Sequence, residues 1–278
     1  MALSIASLNS GSNGNCYYIG NENEAVLIDG GISCRETEKR MKRLGLSMAK
    51  VKALFVTHEH SDHISGVPGL AKKYQFPIYI TEKTRKSCGF ILYDGRGVHF
   101  EDGQNITVGN LTVYPFRKFH DAIDPFSFVV SDSSVKVGVF TDIGIACDRI
   151  KQQFAHCHAV FLESNYDSDM LEKGSYPKVL KKRISGGEGH LSNTLALELF
   201  NTYRSRYLSH LILSHLSQNN NRTKIVEDLF APYAGSTEII VASRHHETKL
   251  ILVDGKFLET ETIQLPKLTS KPFQLSIF

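Results

Sequence analysis

Three histidines and an aspartate fall within six residues of this sequence, in the run HEHSDH at positions 58–63. Imidazole nitrogens and carboxylate oxygens are the ligands that Zn²⁺ and related divalent ions prefer in proteins. In an extended loop, side chains two positions apart lie on one side of the backbone, so His58 and His60 can bind one ion. Asp62 and His63 follow a turn and can face a second ion close by. The run therefore predicts a metal site, with a solvated polar loop as the weaker alternative.

Apolar periodicity predicts the elements that position these side chains. The strand nearest to them ends directly at Thr57, so the side chains that follow are directed into the fold rather than into water. The predicted strands lie at 3–8, 16–20, 25–29, 51–56, 77–81, 159–162, 208–214, 238–242 and 249–253, with hairpins within 106–140. The predicted helices lie at 34–44, 66–74, 145–154, 192–203 and 222–233.

The order of these elements predicts the fold class. Antiparallel strands with helices, repeated in two halves, favour an α/β fold built as a four-layered αββα sandwich. No linker, internal repeat or low-complexity tract divides the 278 residues, so we expect a single domain over 1–278. The tail after about residue 259 carries no clear pattern.

Composition limits the class of protein further. With 41% hydrophobic and 22% charged residues, the chain has the composition of a soluble globular protein. No apolar run approaches the roughly 20 residues that span a bilayer, and the net charge of +3 is too small to predict a polyanionic partner by itself. Five scattered cysteines without a CxxC pair, and an N-terminus without a basic leader segment, favour reduced thiols in the cytoplasm.

The run at 58–63 also resembles a known signature. It matches the HxHxDH motif of the metallo-β-lactamase superfamily, which likewise follows a hydrophobic strand. The resemblance implies three further ligands, and His120, Asp142 and His215 match them in order, each at the end of an apolar run. The implied ligand sets are His58, His60 and His120 for one ion, Asp62, His63 and His215 for a second ion, and Asp142 bridging both. Taken alone, His120 or His215 has the alternative of an ordinary structural histidine.

Two divalent ions held close together would define the chemistry. They would hold a bridging hydroxide at neutral pH and stabilise the oxygens of an in-line displacement. Asp62, bound through one oxygen, could orient that nucleophile with the other. This chemistry suits phosphodiester or acyl hydrolysis, and such ligands accept Zn²⁺, Mn²⁺ or Fe. The metal cluster alone leaves the substrate open.

Further motifs indicate which branch of the superfamily the chain resembles. Only 73 positions separate Asp142 from His215, which leaves no room for the inserted domain of the β-CASP nucleases. Glu163 and His190, in the segments LESN and GHLS, are similar to boxes that ribonuclease Z carries in the same order. That resemblance implies that His190 is a general acid oriented by Glu163. The alternative is that His190 has only a structural role beside the cap of a helix. We find no long arm of the kind that holds tRNA, so tRNA processing is a less expected role.

The chain resembles a compact branch of exonucleases, the YycJ/WalJ type, more than it resembles ribonuclease Z. Four motifs carry the resemblance: SGSNGN at 10–15, HDAIDP at 120–125, GHLSN at 189–193 and HLSQNN at 215–220. It covers roughly residues 3–245 and implies a 5′-to-3′ DNA exonuclease that uses zinc or manganese, with a suggested role in DNA mismatch repair. DNA is accordingly the expected partner ahead of RNA, and no membrane is expected.

Candidate nucleic-acid contacts fall into two groups. The loop at 10–15 could present backbone N–H groups to a phosphate; its polar residues are Ser10, Ser12, Asn13 and Asn15. Basic side chains could contact flanking phosphates without reading the sequence; these are Lys178, Lys181, Lys182, Arg183 and Arg222. A plain connection between strands, and solvated helix faces, are the alternatives.

Three functions therefore compete. The first is a nuclease that acts on DNA ends, with an RNA-processing nuclease as a variant of it. The second is a hydrolase of a small phosphodiester or thioester. The third is a metal-stabilised scaffold without turnover, which a complete ligand set disfavours.

Overall fold

The chain folds into two facing β-sheets with helices on their outer sides. A computed structural model describes residues 2–89 and 95–255, so the tail after about residue 259 lies outside the described residues. The strands are β1 (Leu3–Asn9), β2 (Cys16–Gly20), β3 (Ala25–Ile28), β4 (Val51–Phe55), β5 (Ile78–Tyr79), β6 (Gly97–Val98), β7 (Ile106–Val108), β8 (Leu111–Arg117), β9 (Phe126–Ser131), β10 (Lys136–Phe140), β11 (Ala159–Glu163), β12 (His210–Ser214), β13 (Glu238–Val241) and β14 (Ile251–Val253).

Helices connect many of these strands. The α-helices are α1 (Cys34–Arg43), α2 (Ser61–Ile64), α3 (Val67–Tyr74), α4 (Glu82–Ser87), α5 (Asp148–Phe154), α6 (Ser168–Lys173), α7 (Lys178–Ser185), α8 (Asn193–Tyr203) and α9 (Thr223–Phe230), and short 3₁₀ helices lie at Met48–Lys50 and Ala231–Tyr233. Among the described residues, every helix is too short or too polar to cross a membrane.

Both sheets are mixed. The first has the strand order β14-β1-β2-β3-β4-β5-β6, and the second has the order β13-β12-β11-β10-β9-β8-β7. Pairing is antiparallel from β14 to β3 and from β7 to β10. It is parallel from β3 to β6 and from β10 to β13. The expectation of antiparallel strands was therefore wrong for these parallel pairs, whose crossover connections the helices supply.

Most predicted elements are confirmed within a few residues of their predicted ends. Ser33 caps α1 by accepting the N–H of Glu36, and Ser192 caps α8 by accepting the N–H of Leu195, at 3.2 Å in each case. Helices α2, α4, α6 and α7 were not predicted. They have only four to eight residues each, and the apolar residues of α7, such as Leu180 and Ile184, are only half-buried.

Three apolar layers hold the sheets and helices together. Phe55 and Phe161 belong to the layer between the two sheets. Leu70 of α3 packs on the outer side of the first sheet, and Phe154 and Phe200 of α5 and α8 pack on the outer side of the second. Burial of one such side chain contributes about 1.5–3 kcal/mol. The four-layered αββα sandwich is thus confirmed, while the single domain over 1–278 stays a prediction.

Candidate metal centre

Strand ends from both sheets meet along one rim of the sandwich. In the first sheet, β3 ends before Asp29 and β4 ends shortly before the run at 58–63. In the second sheet, β8, β10 and β12 lead into His120, Asp142 and His215. The carboxyl ends of parallel strands are where ligands commonly bind in α/β proteins. The fold thus brings side chains from distant parts of the chain to one place.

Three histidines form a first group. Ligand atoms of His58, His60 and His120 lie within 4.8 Å of one another. Nε2 of His58 is 3.0 Å from Nδ1 of His60, and Nδ1 of His58 is 2.8 Å from the hydroxyl of Thr57. Nδ1 of His120 lies 2.9 Å from the carbonyl oxygen of Gly189, which can only accept a hydrogen bond. This contact fixes the His120 tautomer and leaves Nε2 as the ligand atom.

Asp62, His63 and His215 form a second group, again with ligand atoms within 4.8 Å of one another. Oδ2 of Asp62 is 3.5 Å from Nε2 of His63 and 3.4 Å from Nε2 of His215. Asp142 lies between the groups: its Oδ2 is 3.2 Å from Nε2 of His63. Its Oδ1 is 3.4 Å from Nε2 of His215 and 3.9 Å from Nε2 of His120. The structure therefore brings all seven predicted ligands together.

Two buried atoms of this cluster lack a hydrogen-bond partner. They are Nε2 of His120 and Oδ2 of Asp142, which makes only an ion-pair contact with Nε2 of His63. A buried polar atom without a partner costs about 1–3 kcal/mol. A divalent cation between the groups would give both atoms a partner, because a neutral imidazole nitrogen and a carboxylate oxygen are both electron-pair donors. The residues present thus fit a divalent metal ion.

The charge state of the cluster follows from burial and from the carboxylates. Burial lowers the pKa of His58 well below its ordinary value and lowers the pKa of His120 to about 4, so both imidazoles are neutral, as ligation requires. Burial acts in the same direction on the other two histidines. There the surrounding carboxylates, Asp142 foremost, together outweigh it; they raise the pKa of His63 and raise that of His215 to about 10. Without a cation, these two histidines therefore hold protons that Asp142 stabilises.

Asp29 orients a ligand of the cluster through hydrogen bonds, a role that the sequence analysis did not predict. Its carboxylate accepts the backbone N–H of Thr57 at 2.8 Å and the Thr57 hydroxyl at 2.9 Å. Oδ2 also lies 2.7 Å from Nδ1 of His63, which turns Nε2 of that ring towards the cleft. The available signal was a carboxylate directly after the apolar segment 25–28, and Asp142 likewise lies two residues after the end of its own strand.

Lys118 is a second residue that sequence reasoning missed. It is buried, and its ammonium group donates to the carbonyl oxygen of Thr141 at 2.7 Å. Burial lowers the pKa of Lys118, opposed by the carboxylates of Asp142 and Asp29. The ammonium group therefore places a positive charge near the carboxylates, at the end of β8.

Three residues at the rim adopt the left-handed backbone conformation. The φ angles are 62° for Asp29, 53° for Asp142 and 56° for His215. This conformation is uncommon for residues other than glycine and costs on the order of 1–3 kcal/mol per residue. Each follows a strand, so the chain turns sharply where the side chain must enter the cleft.

The loop at 10–15 supports the ligands through buried side chains. Ser10 accepts the backbone N–H of His215 at 2.8 Å. Asn15 donates its backbone N–H to the carbonyl oxygen of Asp62 at 2.7 Å, and its Nδ2 lies 3.1 Å from Oδ2 of the same residue. A Cβ at Gly31 would lie only 1.7 Å from that carbonyl oxygen, so glycine is required there. The side chains of Ser10 and Asn15 therefore position the ligands, and phosphate binding by the backbone N–H groups of this loop stays a prediction.

His190 and Glu163 form a hydrogen-bonded pair beside the cluster. Nδ1 of His190 lies 2.8 Å from Oε1 of Glu163, which is also 3.1 Å from Nδ1 of His215. The other oxygen of this buried carboxylate accepts the backbone N–H groups of Ile143 and Leu191 at 2.8 and 3.1 Å. Burial alone would raise the pKa of Glu163, but the imidazoles of His190 and His215 lower it to about 2. Glu163 is thus a fixed carboxylate that holds a half-exposed imidazole.

The remaining candidate phosphate contacts divide between the cleft and its surroundings. Ser12 and Arg183 line a cleft of about 180 Å³ together with His190, and Arg183 pairs with Asp121. The other candidates lie outside this lining; they are Asn13, Lys178, Lys181, Lys182 and Arg222. The structure therefore brings two of the predicted contacts, Ser12 and Arg183, to the cleft that contains His190.

Comparison with known proteins places this site in a family context. Residues 10–144 match the family model described as metallo-beta-lactamase superfamily. The chain is 36% identical over 229 residues to the exodeoxyribonuclease YycJ of Bacillus anthracis, a match that covers 81% of this chain and 86% of that protein. It is 34% identical over 221 residues to the exodeoxyribonuclease WalJ of Streptococcus pneumoniae, with 77% and 81% covered.

The fold has counterparts among solved structures. The crystal structure of Zn²⁺-bound PqqB from Methylobacterium extorquens is similar with a TM-score of 0.69. The match covers 91% of this chain and 100% of that one at 14% sequence identity, so it bears on the fold alone.

Proposed function

Because the chain belongs to the metallo-β-lactamase superfamily, and within it to the family of the exodeoxyribonucleases YycJ and WalJ, we propose that it is a metal-dependent DNA exonuclease. Hydrolysis with a divalent metal is the chemistry of this family. DNA as the substrate is supported by the two relatives, and the 5′-to-3′ direction by the motifs shared with their branch. The single observation that carries the mechanism is the position of Asp142 between two groups of three ligands.

We assign the seven ligands to two ions. The first ion would be held by His58, His60 and His120, the second by Asp62, His63 and His215, with Asp142 shared between them. Two such ions, Zn²⁺ or Mn²⁺, would lower the pKa of water and offset the negative charge that develops on the phosphate oxygens. Asp62 would also act in catalysis. Its Oδ2 faces His215 at 3.4 Å, and we assign its Oδ1 to orienting the attacking water.

His190 is the proposed general acid. Its Nδ1 is engaged by Glu163 at 2.8 Å, so the proton given to the leaving oxygen would depart from Nε2. The Glu163 carboxylate orients the ring by accepting the Nδ1 hydrogen bond. Because the His190 side chain is 24% exposed, it can regain a proton from solvent after each cleavage.

Substrate binding would use the backbone of the nucleic acid. Arg183 and Ser12 in the cleft, and Lys181, Lys182 and Arg222 around it, would contact phosphates, which gives no sequence preference and a strong salt dependence. A part in DNA repair suits such an enzyme. A cytoplasmic location is favoured by the five cysteines, all of which are free thiols.

The proposal is tested with one DNA duplex labelled at either its 5′ or its 3′ end, and with matching RNA, under Mn²⁺ or Zn²⁺. A 5′-to-3′ exonuclease releases the 5′ label at once as a mononucleotide, whereas the 3′-labelled strand shortens gradually. Preferential loss of RNA would favour an RNA-processing nuclease. Intact polynucleotides, together with hydrolysis of bis(p-nitrophenyl) phosphate or of a thioester, would overturn the proposal in favour of a small-molecule hydrolase.

A further inference from the structure

Four buried polar side chains adjoin the pair formed by His190 and Glu163. They are a serine and three asparagines, each at most 5% exposed: Ser164, Asn165, Asn193 and Asn221. Burial of a hydroxyl or an amide group is unfavourable unless hydrogen bonds replace those made with water. These four residues form the buried polar network, and none of them takes part in the proposed hydrolysis itself.

Hydrogen bonds leave the amides of Asn193 and Asn221 a single orientation. Nδ2 of Asn221 lies 2.9 and 3.0 Å from the carbonyl oxygens of Ser164 and Asn165, which can only accept. Oδ1 of Asn221 therefore accepts Nδ2 of Asn193 at 3.0 Å, and Oδ1 of Asn193 accepts Nδ2 of Asn221 at 2.8 Å. Oδ1 of Asn193 also accepts the hydroxyl of Ser164 at 2.7 Å. Asn193 is thus fixed against the residue that follows Glu163.

Backbone hydrogen bonds extend this contact to the proposed general acid. The N–H of Asn165 donates to the carbonyl oxygen of Leu191, and the N–H of Asn193 donates to that of Tyr166, both at 2.9 Å. Asn193 lies three positions after His190. The side chain and the backbone of Asn193 therefore hold the segment that carries His190 beside the end of β11.

The network also reaches a metal ligand. Nδ2 of Asn165 donates to the carbonyl oxygen of His215 at 2.8 Å. Oε1 of Glu163 lies between the two imidazoles, 2.8 Å from Nδ1 of His190 and 3.1 Å from Nδ1 of His215. Because one carboxylate oxygen contacts both rings, the distance between acid and ligand depends on the segments that the network joins.

We infer that Asn193 is a positioning residue, which holds the imidazole of His190 at the place beside the metal cluster that proton transfer requires. The inference rests on the proposed function, in which His190 is the general acid. A general acid acts within about 2.6–3.2 Å of the leaving oxygen, and a misplacement of about 1 Å can lower the rate about a hundredfold. The His190 side chain is 24% exposed, so its position depends on the segment that carries it.

The test compares Asn193→Ala with the wild-type protein on DNA and on bis(p-nitrophenyl) phosphate. We expect kcat on DNA to fall about tenfold, because His190 no longer lies at a fixed distance from the leaving oxygen. On bis(p-nitrophenyl) phosphate we expect a change of less than about twofold, because its leaving group departs without a proton. Equal losses on the two substrates would overturn the inference, since a purely structural role would lower both.

Three further variants make this comparison specific. Asn201→Ala, the control, removes the same amide group about two turns later in α8 and should retain both activities. The double variant His190→Ala/Asn193→Ala should lose no more activity on DNA than His190→Ala alone, because Asn193 acts through His190. Additive losses would contradict the inference. If Asn193→Ala does not fold, Ser164→Ala replaces it, because it removes only a hydroxyl that Asn193 accepts, and it should show the same difference between the substrates.

Failure of the proposed function can be separated from failure of this inference. If the wild-type protein degrades no DNA, the nuclease proposal fails, and a measurement without turnover decides about Asn193. A histidine Nδ1–H that donates to a carboxylate, as His190 does to Glu163, gives a downfield proton NMR signal, which His190→Ala identifies by its loss. We expect the signal in the wild-type and Asn201→Ala proteins and its broadening or loss in Asn193→Ala. An unchanged signal in Asn193→Ala would show that His190 does not depend on the network.

Discussion

The metal cluster and the basic helix α7 are built in opposite ways. In the cluster, His63 and Asp142 are buried, and His63 is held by a hydrogen bond from below. In α7 no residue is buried, and Lys182 lies exposed on its surface. Buried side chains with fixed hydrogen-bond partners can hold reacting groups in a defined geometry. Exposed charges attract a ligand through a field that salt screens, and many residues contribute to that field. Single substitutions should therefore differ greatly in effect between the two regions.

Asp142→Asn should have the largest effect. It keeps the volume of the side chain but removes the charge shared between the two groups of ligands, so we expect activity to fall about a thousandfold or more. The measurement is turnover of bis(p-nitrophenyl) phosphate together with metal content by elemental analysis. Asp132→Asn is the control, because Asp132 is a buried carboxylate in the turn before β10, at the opposite end of that strand. Retention of a tenth of the activity by Asp142→Asn would remove the contrast between the regions.

His190→Ala should come next, with a loss of about a hundredfold on DNA. The loss should be much smaller on bis(p-nitrophenyl) phosphate, because its leaving group departs without a proton. His210→Ala serves as the control, since His210 is half-buried at the start of β12, away from the rim. Equal losses on both substrates would mean that His190 supports the structure or the ions and does not act as an acid.

Asp29→Asn should weaken metal binding by about tenfold to a hundredfold, because it alters the hydrogen bond that orients His63. A chelator competition titration measures this affinity, and unfolding monitored by circular dichroism shows whether the fold survives. Asp132→Asn is again the control, because it removes a buried carboxylate outside the cluster. An unchanged affinity would show that ligand geometry in the cluster does not depend on its buried support.

Metal affinity should also depend on pH in a defined direction. The pKa of His215 is raised to about 10 and that of His63 is raised as well, so the metal-free protein holds these protons at neutral pH. An incoming ion must displace them, so affinity should rise with pH below these pKa values, by about tenfold per pH unit for each proton released. Calorimetry in buffers of different ionisation heat counts the protons. Zero release at pH 7 would show that both His63 and His215 are already neutral.

Lys182→Ala should have the smallest effect. We expect a loss of only a few-fold in DNA affinity, equal for all sequences, and a salt dependence whose slope falls by about one. Lys52→Ala is the control, because Lys52 is exposed near the start of β4, away from the rim where β4 ends. A loss as large as that of Asp142→Asn would contradict the division between positioned chemistry and diffuse charge.

The ligands could be predicted because the run at 58–63 resembles a known motif, and that resemblance implies three further ligands at strand ends. His120, Asp142 and His215 each follow an apolar run, and the fold brings these strand ends to one rim. Asp29 follows an apolar run as well, but a lone carboxylate shows no partner in the sequence. Its contact with His63 spans 34 positions and exists only in the folded chain.

The loop at 10–15 shows what local reasoning leaves open. Its serines, glycines and asparagines are equally typical of a phosphate-binding loop and of a tight turn. Ser10 and Asn15 contact His215 and Asp62, which lie far along the chain, and no local pattern predicts these contacts. Helix α7 was missed because it is short and its apolar residues Leu180 and Ile184 are only half-buried.

The left-handed turns at Asp29, Asp142 and His215 have an evolutionary consequence. Each holds the chain in a conformation that glycine would adopt with less strain. A descendant released from catalysis could gain stability by exchanging these residues, since selection retains such costs only where function requires them. Loss of function in this lineage would therefore be expected to begin at these turns, as relief of backbone strain, before the sandwich itself changed.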